Sequence, residues 1–147
     1  MLKHFISCSL ALFILSSCSQ GLNQYKKDSK GISYRSGKWK EIYSSNDGDL
    51  TAIGRYKEGK KIGVWKTYFQ ENLYQKEQIN RSFTKVKFYY PNGKIMQKGQ
   101  TKLDHSNAES HWYYYGAWKF YDAKGKLSYI KHYISGRVTD SIYVGKK

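Results

Sequence analysis

From about Ser33 onward the chain alternates apolar and polar residues in short runs separated by turn residues, the period-two pattern of strands that bury one face. Val64-Trp65-Lys66-Thr67-Tyr68-Phe69 and Thr84-Lys85-Val86-Lys87-Phe88-Tyr89-Tyr90 are rich in β-branched and aromatic residues, which fit a pleated surface. Between such runs lie Lys57-Glu58-Gly59-Lys60, Pro91-Asn92-Gly93-Lys94 and Ala123-Lys124-Gly125-Lys126. These read as turns, because Pro presets φ while Asn and Gly tolerate positive φ. Beyond the first residues of the chain no ten-residue stripe recurs at helical spacing. The pattern predicts an all-β fold.

The runs also repeat. Aligned on Trp39, Trp65, Val86 and Trp118, every unit has lysine at the next position: Lys40, Lys66, Lys87 and Lys119. Three residues after the anchor come Ile42, Tyr68, Tyr89 and Tyr121. A turn residue (Asn72, Gly93 or Gly125) and an aliphatic residue (Leu73, Ile95 or Leu127) close the last three copies. The first copy reaches Gly48 and Leu50 two residues late. Its aliphatic position and those that follow are 23, 22 and 32 residues apart, and the long interval holds an insertion at residues 103–114. Gly136-Arg137-Val138 with Ile142-Tyr143 marks an incomplete fifth unit. A period in the low twenties is too short for helix-pair repeats, whose units run ~33 residues or more, and fits one β-hairpin per unit.

Gly63-Val64-Trp65-Lys66-Thr67-Tyr68 with Asn72-Leu73, Tyr56-Lys57-Glu58-Gly59-Lys60-Lys61-Ile62-Gly63, and Tyr115-Gly116-Ala117-Trp118-Lys119-Phe120-Tyr121 with Gly125-Lys126-Leu127 resemble MORN repeats. The variant is the one found in bacterial YwqK-like proteins, and the resemblance covers about residues 34 to 144. The chain departs from that pattern where Val86 stands for tryptophan, Asn72 for glycine, and Asn80-Arg81 for a glycine turn. The resemblance implies an elongated, single-layer antiparallel sheet of successive hairpins. It also implies a binding or scaffolding role and not catalysis. Some bacterial members carry the label antitoxin, which implies neutralisation of a protein partner.

Alternate side chains of a strand point to opposite faces. Trp65, Thr67 and Phe69 therefore share one face, as do Val86, Phe88 and Tyr90, and Trp118 with Phe120. Lys66 with Tyr68, Lys87 with Tyr89, and Lys119 with Tyr121 share the other, so hairpins stacked in register build a lysine–tyrosine stripe. Lys40 and Ile42 continue it less well. Two readings stay open. The stripe is a recognition strip, lysine supplying mobile charge and tyrosine a flat ring with a hydroxyl, or it only solubilises the wet side of a sheet.

The N-terminus sets the expected location. A basic start leads into the apolar run from Phe5 to Leu15, too short for the ~20 residues of a membrane span but suited to a signal-peptide core. The tetrad Leu15-Ser16-Ser17-Cys18 resembles the bacterial lipobox, which implies removal of residues 1–17 and lipidation of Cys18. Residues 18–32 then form a flexible polar tether, and residues 33–147 the repeat domain. Cys8 leaves with the leader and Cys18 carries the lipid, so neither of the two cysteines remains as a thiol. The expected place is the extracytoplasmic side of a bacterial envelope. Ser19 follows the cysteine where an Asp would retain the protein at the inner membrane, so the outer membrane is expected.

Composition narrows the partners. The net charge is +15, one unit less once Lys3 has left, and there are 15 tyrosines. A basic surface draws anionic partners, and outside the cytoplasm these are lipid headgroups, acidic glycans or an acidic protein face, not nucleic acid. No glycine-rich phosphate loop, Gly-x-Ser-x-Gly or zinc spacing occurs, so neither an enzyme nor a cofactor is expected. Asp104, His105, Glu109 and His111 lie together in the insertion, but their spacing matches no metal motif, and the segment reads as a solvated, partner-facing loop. The expectation is a lipid-anchored binding module for a protein or anionic envelope partner. An immunity lipoprotein that neutralises one toxin is the alternative.

Overall fold

The computed structural model describes residues 21–45, 47–104 and 111–145. The expected leader, Cys18 and the insertion residues 105–110 lie outside the described residues. Ten strands follow one another: β1 (Gln24–Lys27), β2 (Ser33–Ser45), β3 (Gly48–Lys57), β4 (Lys60–Phe69), β5 (Asn72–Ile79), β6 (Thr84–Tyr89), β7 (Ile95–Asp104), β8 (His111–Tyr121), β9 (Leu127–Ile134) and β10 (Arg137–Tyr143). They form a single antiparallel sheet in which spatial order equals chain order. The all-β, single-layer sheet of successive hairpins expected from the sequence is the architecture found. No described helix is long and apolar enough to cross a membrane.

Turn chemistry sets the hairpins. Glu58 (φ 51°) and Gly59 (φ 75°) join β3 to β4 in the left-handed conformation that a two-residue hairpin turn requires. Gln70 and Glu71 do the same between β4 and β5 without glycine, at φ 46° and 68°, and that strain is tolerated by neither side chain for free. At the Pro91-Asn92-Gly93-Lys94 turn, Asn92 Oδ1 accepts the Lys94 N–H at 3.0 Å. β10 is the fifth, incomplete unit. The insertion lengthens β7 and β8, with Leu103 opposite Trp112 and Asp104 opposite His111. One difference is that β1 lies inside the segment expected to be a tether. Tyr25 meets the Trp39 ring edge-on at 5.2 Å, and the Asn23 side chain bonds the Lys40 N–H and C=O. A short polar strand is thus held by contacts that strand propensity does not foresee.

A lone sheet has no second layer to bury its apolar face against, so the large side chains lie down on the sheet itself. Trp65 and Trp118 are 1% and 0% exposed. Each covers a glycine of the preceding strand: a Cβ on Gly54 would come within 2.1 Å of the Trp65 ring, and one on Gly99 within 2.3 Å of Trp118. Each indole N–H then donates to the carbonyl just after that glycine, Trp65 to Arg55 at 3.2 Å and Trp118 to Gln100 at 2.9 Å. Burial without loss of hydrogen bonding is the condition for putting an indole inside. The pairing shifts register at the same two places, and Gly63 and Gly116, two residues before the tryptophans, take φ 67° and 69°. These are glycine bulges that re-aim the indole across the sheet. Trp39, Ala52, Tyr56 and Trp65 form the main cluster, with Ile79 packed against it.

Candidate functional site

The face opposite the tryptophans carries a row of cations that the hairpin registers create. Lys66 pairs with Lys76, Lys76 with Lys87, Lys87 with Lys98, and Lys98 with Lys119. Five lysines from five consecutive strands therefore stand side by side. At ~4.8 Å between strands the row is about 19 Å long. It continues through Ile53, which lies between Lys40 and Lys66, and ends on Ile130 and Ile142. Lys66, Lys87 and Lys119 are exposed, Lys76 and Lys98 half-buried.

The tyrosines occupy the neighbouring row, each beside an aliphatic residue of its own hairpin: Tyr68 opposite Leu73, Tyr89 opposite Ile95, and Tyr121 opposite Leu127. All three are half-buried, and burial pushes the Tyr89 hydroxyl above its usual pKa. Ile42 reaches Tyr68 through Thr51. Lys98 Nζ sits 5.2 Å from the Tyr121 ring centroid, so one lysine of the row leans on a tyrosine of the next. Near the β8 end, Lys85, Lys87, Lys98 and Lys119 line a shallow depression of about 200 Å³ above Gly99 and Ala117. Its floor is apolar and the lysines stand around it. Among the described residues no carboxylate pairs with any lysine of the row.

Every stripe residue expected from sequence (Lys40, Lys66, Tyr68, Lys87, Tyr89, Lys119 and Tyr121) belongs to this face by strand parity. Lys76 and Lys98, which turn separate lysines into an unbroken row, are additions from the structure. The signal was present in each hairpin, but a bulge at Tyr74 and another at Met96 shift the pairing by one residue. A hairpin folded without them puts Gln75 opposite Lys66 and Gln97 opposite Lys87. Of the insertion's acids and histidines, Asp104 and His111 pair across β7 and β8, while His105 and Glu109 lie outside the described residues.

The tryptophan face handles charge differently. Glu41, 10% exposed at its side chain, accepts hydrogen bonds from Arg35 (2.6 Å), Tyr56 (2.8 Å), Lys61 (2.9 Å) and Tyr43. Burial works against its ionisation, but the bonds from Tyr43, Lys61 and Tyr56 outweigh it and hold its pKa at about 2. Lys61 Nζ also lies 4.0 Å over Trp65. Arg35 and Lys61 on this face are bound to an acid and to rings, whereas no ion pair among the described residues holds the lysines of the row.

No protein-family model matches the chain, and no significant match was found among curated proteins or solved structures.

Proposed function

We propose that the protein is a lipid-anchored lipoprotein of the bacterial envelope whose sheet is a non-catalytic module that docks onto anionic envelope components. The observation that carries this reading is the row of five adjacent lysines with no acid beside it. Like charges directly opposite in a sheet are destabilising, so a row kept open across five strands is best accounted for by an external counter-charge. The lysine-lined depression supplies a place for one headgroup or one uronate along it. The lipobox-like Leu15-Ser16-Ser17-Cys18 supports the anchor. A diacylated or triacylated cysteine holds a membrane stably where a single chain does not. The resemblance to MORN repeats supports a binding role.

The test uses residues 19–147, so that no lipid contributes, floated with vesicles of zwitterionic or anionic phospholipid. Binding is expected only to anionic vesicles and should weaken with salt, since screening shortens to ~8 Å at physiological ionic strength. Lys66→Glu, Lys87→Glu and Lys119→Glu combined should abolish it. Unchanged binding by that triple variant contradicts the reading. Capture from envelopes of one stoichiometric protein that survives high salt would favour a neutralising lipoprotein instead. For the anchor, Cys18→Ser should abolish incorporation of labelled palmitate and release the chain from membranes.

A further inference from the structure

The third repeat unit is built differently from its neighbours, and the difference opens a groove on the tryptophan face. Three units carry Gly-x-Trp: Gly37-Lys38-Trp39, Gly63-Val64-Trp65 and Gly116-Ala117-Trp118, with each glycine at φ between 67° and 77°. The third carries Thr84-Lys85-Val86, and β5 pairs with β6 without a register shift. Where Gly54 and Gly99 lie beneath the indoles of Trp65 and Trp118, the residue opposite Val86 is Glu77. Two linked departures, indole to valine and glycine to glutamate, thus put a gap and a carboxylate in the middle of an aromatic row.

The gap is a groove of about 470 Å³, within the ~300–1,000 Å³ range of small-molecule sites. Val86 and Glu77 line it, together with Trp112, Tyr114 and Trp118 from β8 and Phe83 from the β5–β6 turn. Tyr114 stacks on Trp118 at 4.0 Å, with 17° between planes, and Trp112 follows at 6.1 Å, while Trp112 itself is 62% exposed. Glu77 is half-buried and has no hydrogen-bond partner among the described residues. Burial raises its pKa, and the charge of Lys61 opposes that only in part. Its oxygens are not sealed from solvent, so in the open groove they accept from water and are available to the hydroxyl donors of a ligand.

We propose that this groove binds a short neutral oligosaccharide, Glu77 accepting hydrogen bonds from sugar hydroxyls while the Trp112–Tyr114–Trp118 wall receives the C–H face of a pyranose ring. The charges select this class. An anionic ligand meets the Glu77 carboxylate in a partly dry groove. An organic cation meets Lys61 and Arg81, which also line it, on a chain of net charge +15. A polyhydroxyl ligand incurs neither penalty and brings both the donors and the flat apolar patches that the lining offers. The ammonium of Lys102, whose backbone borders the groove, is turned to the other face, 3.6 Å over Tyr115.

The experiment is a tryptophan-fluorescence titration of the full chain with chitotriose, cellotriose and maltotriose at millimolar concentrations, with choline and inorganic phosphate as charged probes. A saturable change with at least one trisaccharide is expected. Glu77→Gln should weaken that binding about tenfold, the scale of one hydrogen bond to a charged group. The pair Glu77→Gly and Val86→Trp removes the carboxylate and fills the gap with an indole, without the glycine bulge of the other units. It should remove binding while the chain still unfolds in one cooperative transition. The proposal is overturned by no saturable response to any of the three sugars, by a response to choline or phosphate alone, or by sugar affinity unchanged in either variant. Because the lysine row is on the other face, vesicle binding by the paired variant should be unaltered, which separates failure of this inference from failure of the docking role.

Discussion

On the tryptophan face, one carboxylate, Glu41, gathers two cations and two tyrosine hydroxyls, and indoles seal the strands beneath them. On the opposite face, five lysines stand next to one another with no acid among them. The same strands and the same registers build both, so the contrast lies in which side chains those registers bring together on each face. The difference teaches where stability resides and where it has been given up. A single-layer sheet of this kind holds itself together through its tryptophan face, and the docking role proposed above uses the face that this leaves.

The largest expected effect on this comparison comes from the indoles. Trp65→Ala or Trp118→Ala should cost about 3–5 kcal/mol in chemical denaturation, the usual range for removing a buried large aromatic. Lys66→Ala, one residue away, should leave stability the same or slightly higher. If the two substitutions cost alike, the division into a stabilising and a binding face fails.

Two carboxylates on the tryptophan face should respond to pH with opposite signs. The pKa of Glu41 is lowered from the ordinary ~4.3 to about 2, so its stabilisation is present above the ordinary value and is lost as pH falls through about 2. Glu77 is raised, so its contribution is complete below the ordinary value and is lost as pH rises through its folded pKa. Denaturation midpoints between pH 2 and pH 7 should show Glu41→Gln least different from the parent at the acid end. Glu77→Gln should be most stabilising at neutral pH. Parallel curves for the two variants would contradict the assignment.

The smallest effect is expected at Arg35. Its side chain is 43% exposed and is one of four partners of Glu41. Arg35→Met should therefore shift the denaturation midpoint least of these variants, since exposed ion pairs contribute little. A loss as large as that of Glu41→Gln would mean that the Glu41 cluster acts as one unit and not mainly through buried Tyr56 and half-buried Lys61.

Much of this was legible in the sequence. The four aligned anchors, the lysine after each and the Pro91-Asn92-Gly93 turn led to a hairpin sheet with its faces assigned, because period-two parity within a strand is a local property. The unbroken lysine row was not legible, because it depends on bulges at Tyr74 and Met96 that move the pairing by one residue, and such a slip turns every later side chain to the other face. The groove was half visible. Val86 stood out as a missing tryptophan, but its partner Glu77 becomes meaningful only once cross-strand pairing sets it where a glycine lies under the other indoles. β1 carried little signal, since its four residues are exposed, three of them are polar, and it is held by Tyr25 and Asn23.

The most direct measurement takes one variant, Lys76→Glu with Lys98→Glu, and records its denaturation midpoint and its binding to anionic vesicles side by side. The substitutions make the row alternate in sign, converting four like-charged cross-strand contacts into opposite ones, each on the order of 0.2–1 kcal/mol. The two-face account predicts a gain of about 1 kcal/mol or more in stability together with loss of vesicle binding. Unchanged or lower stability with binding intact would contradict it.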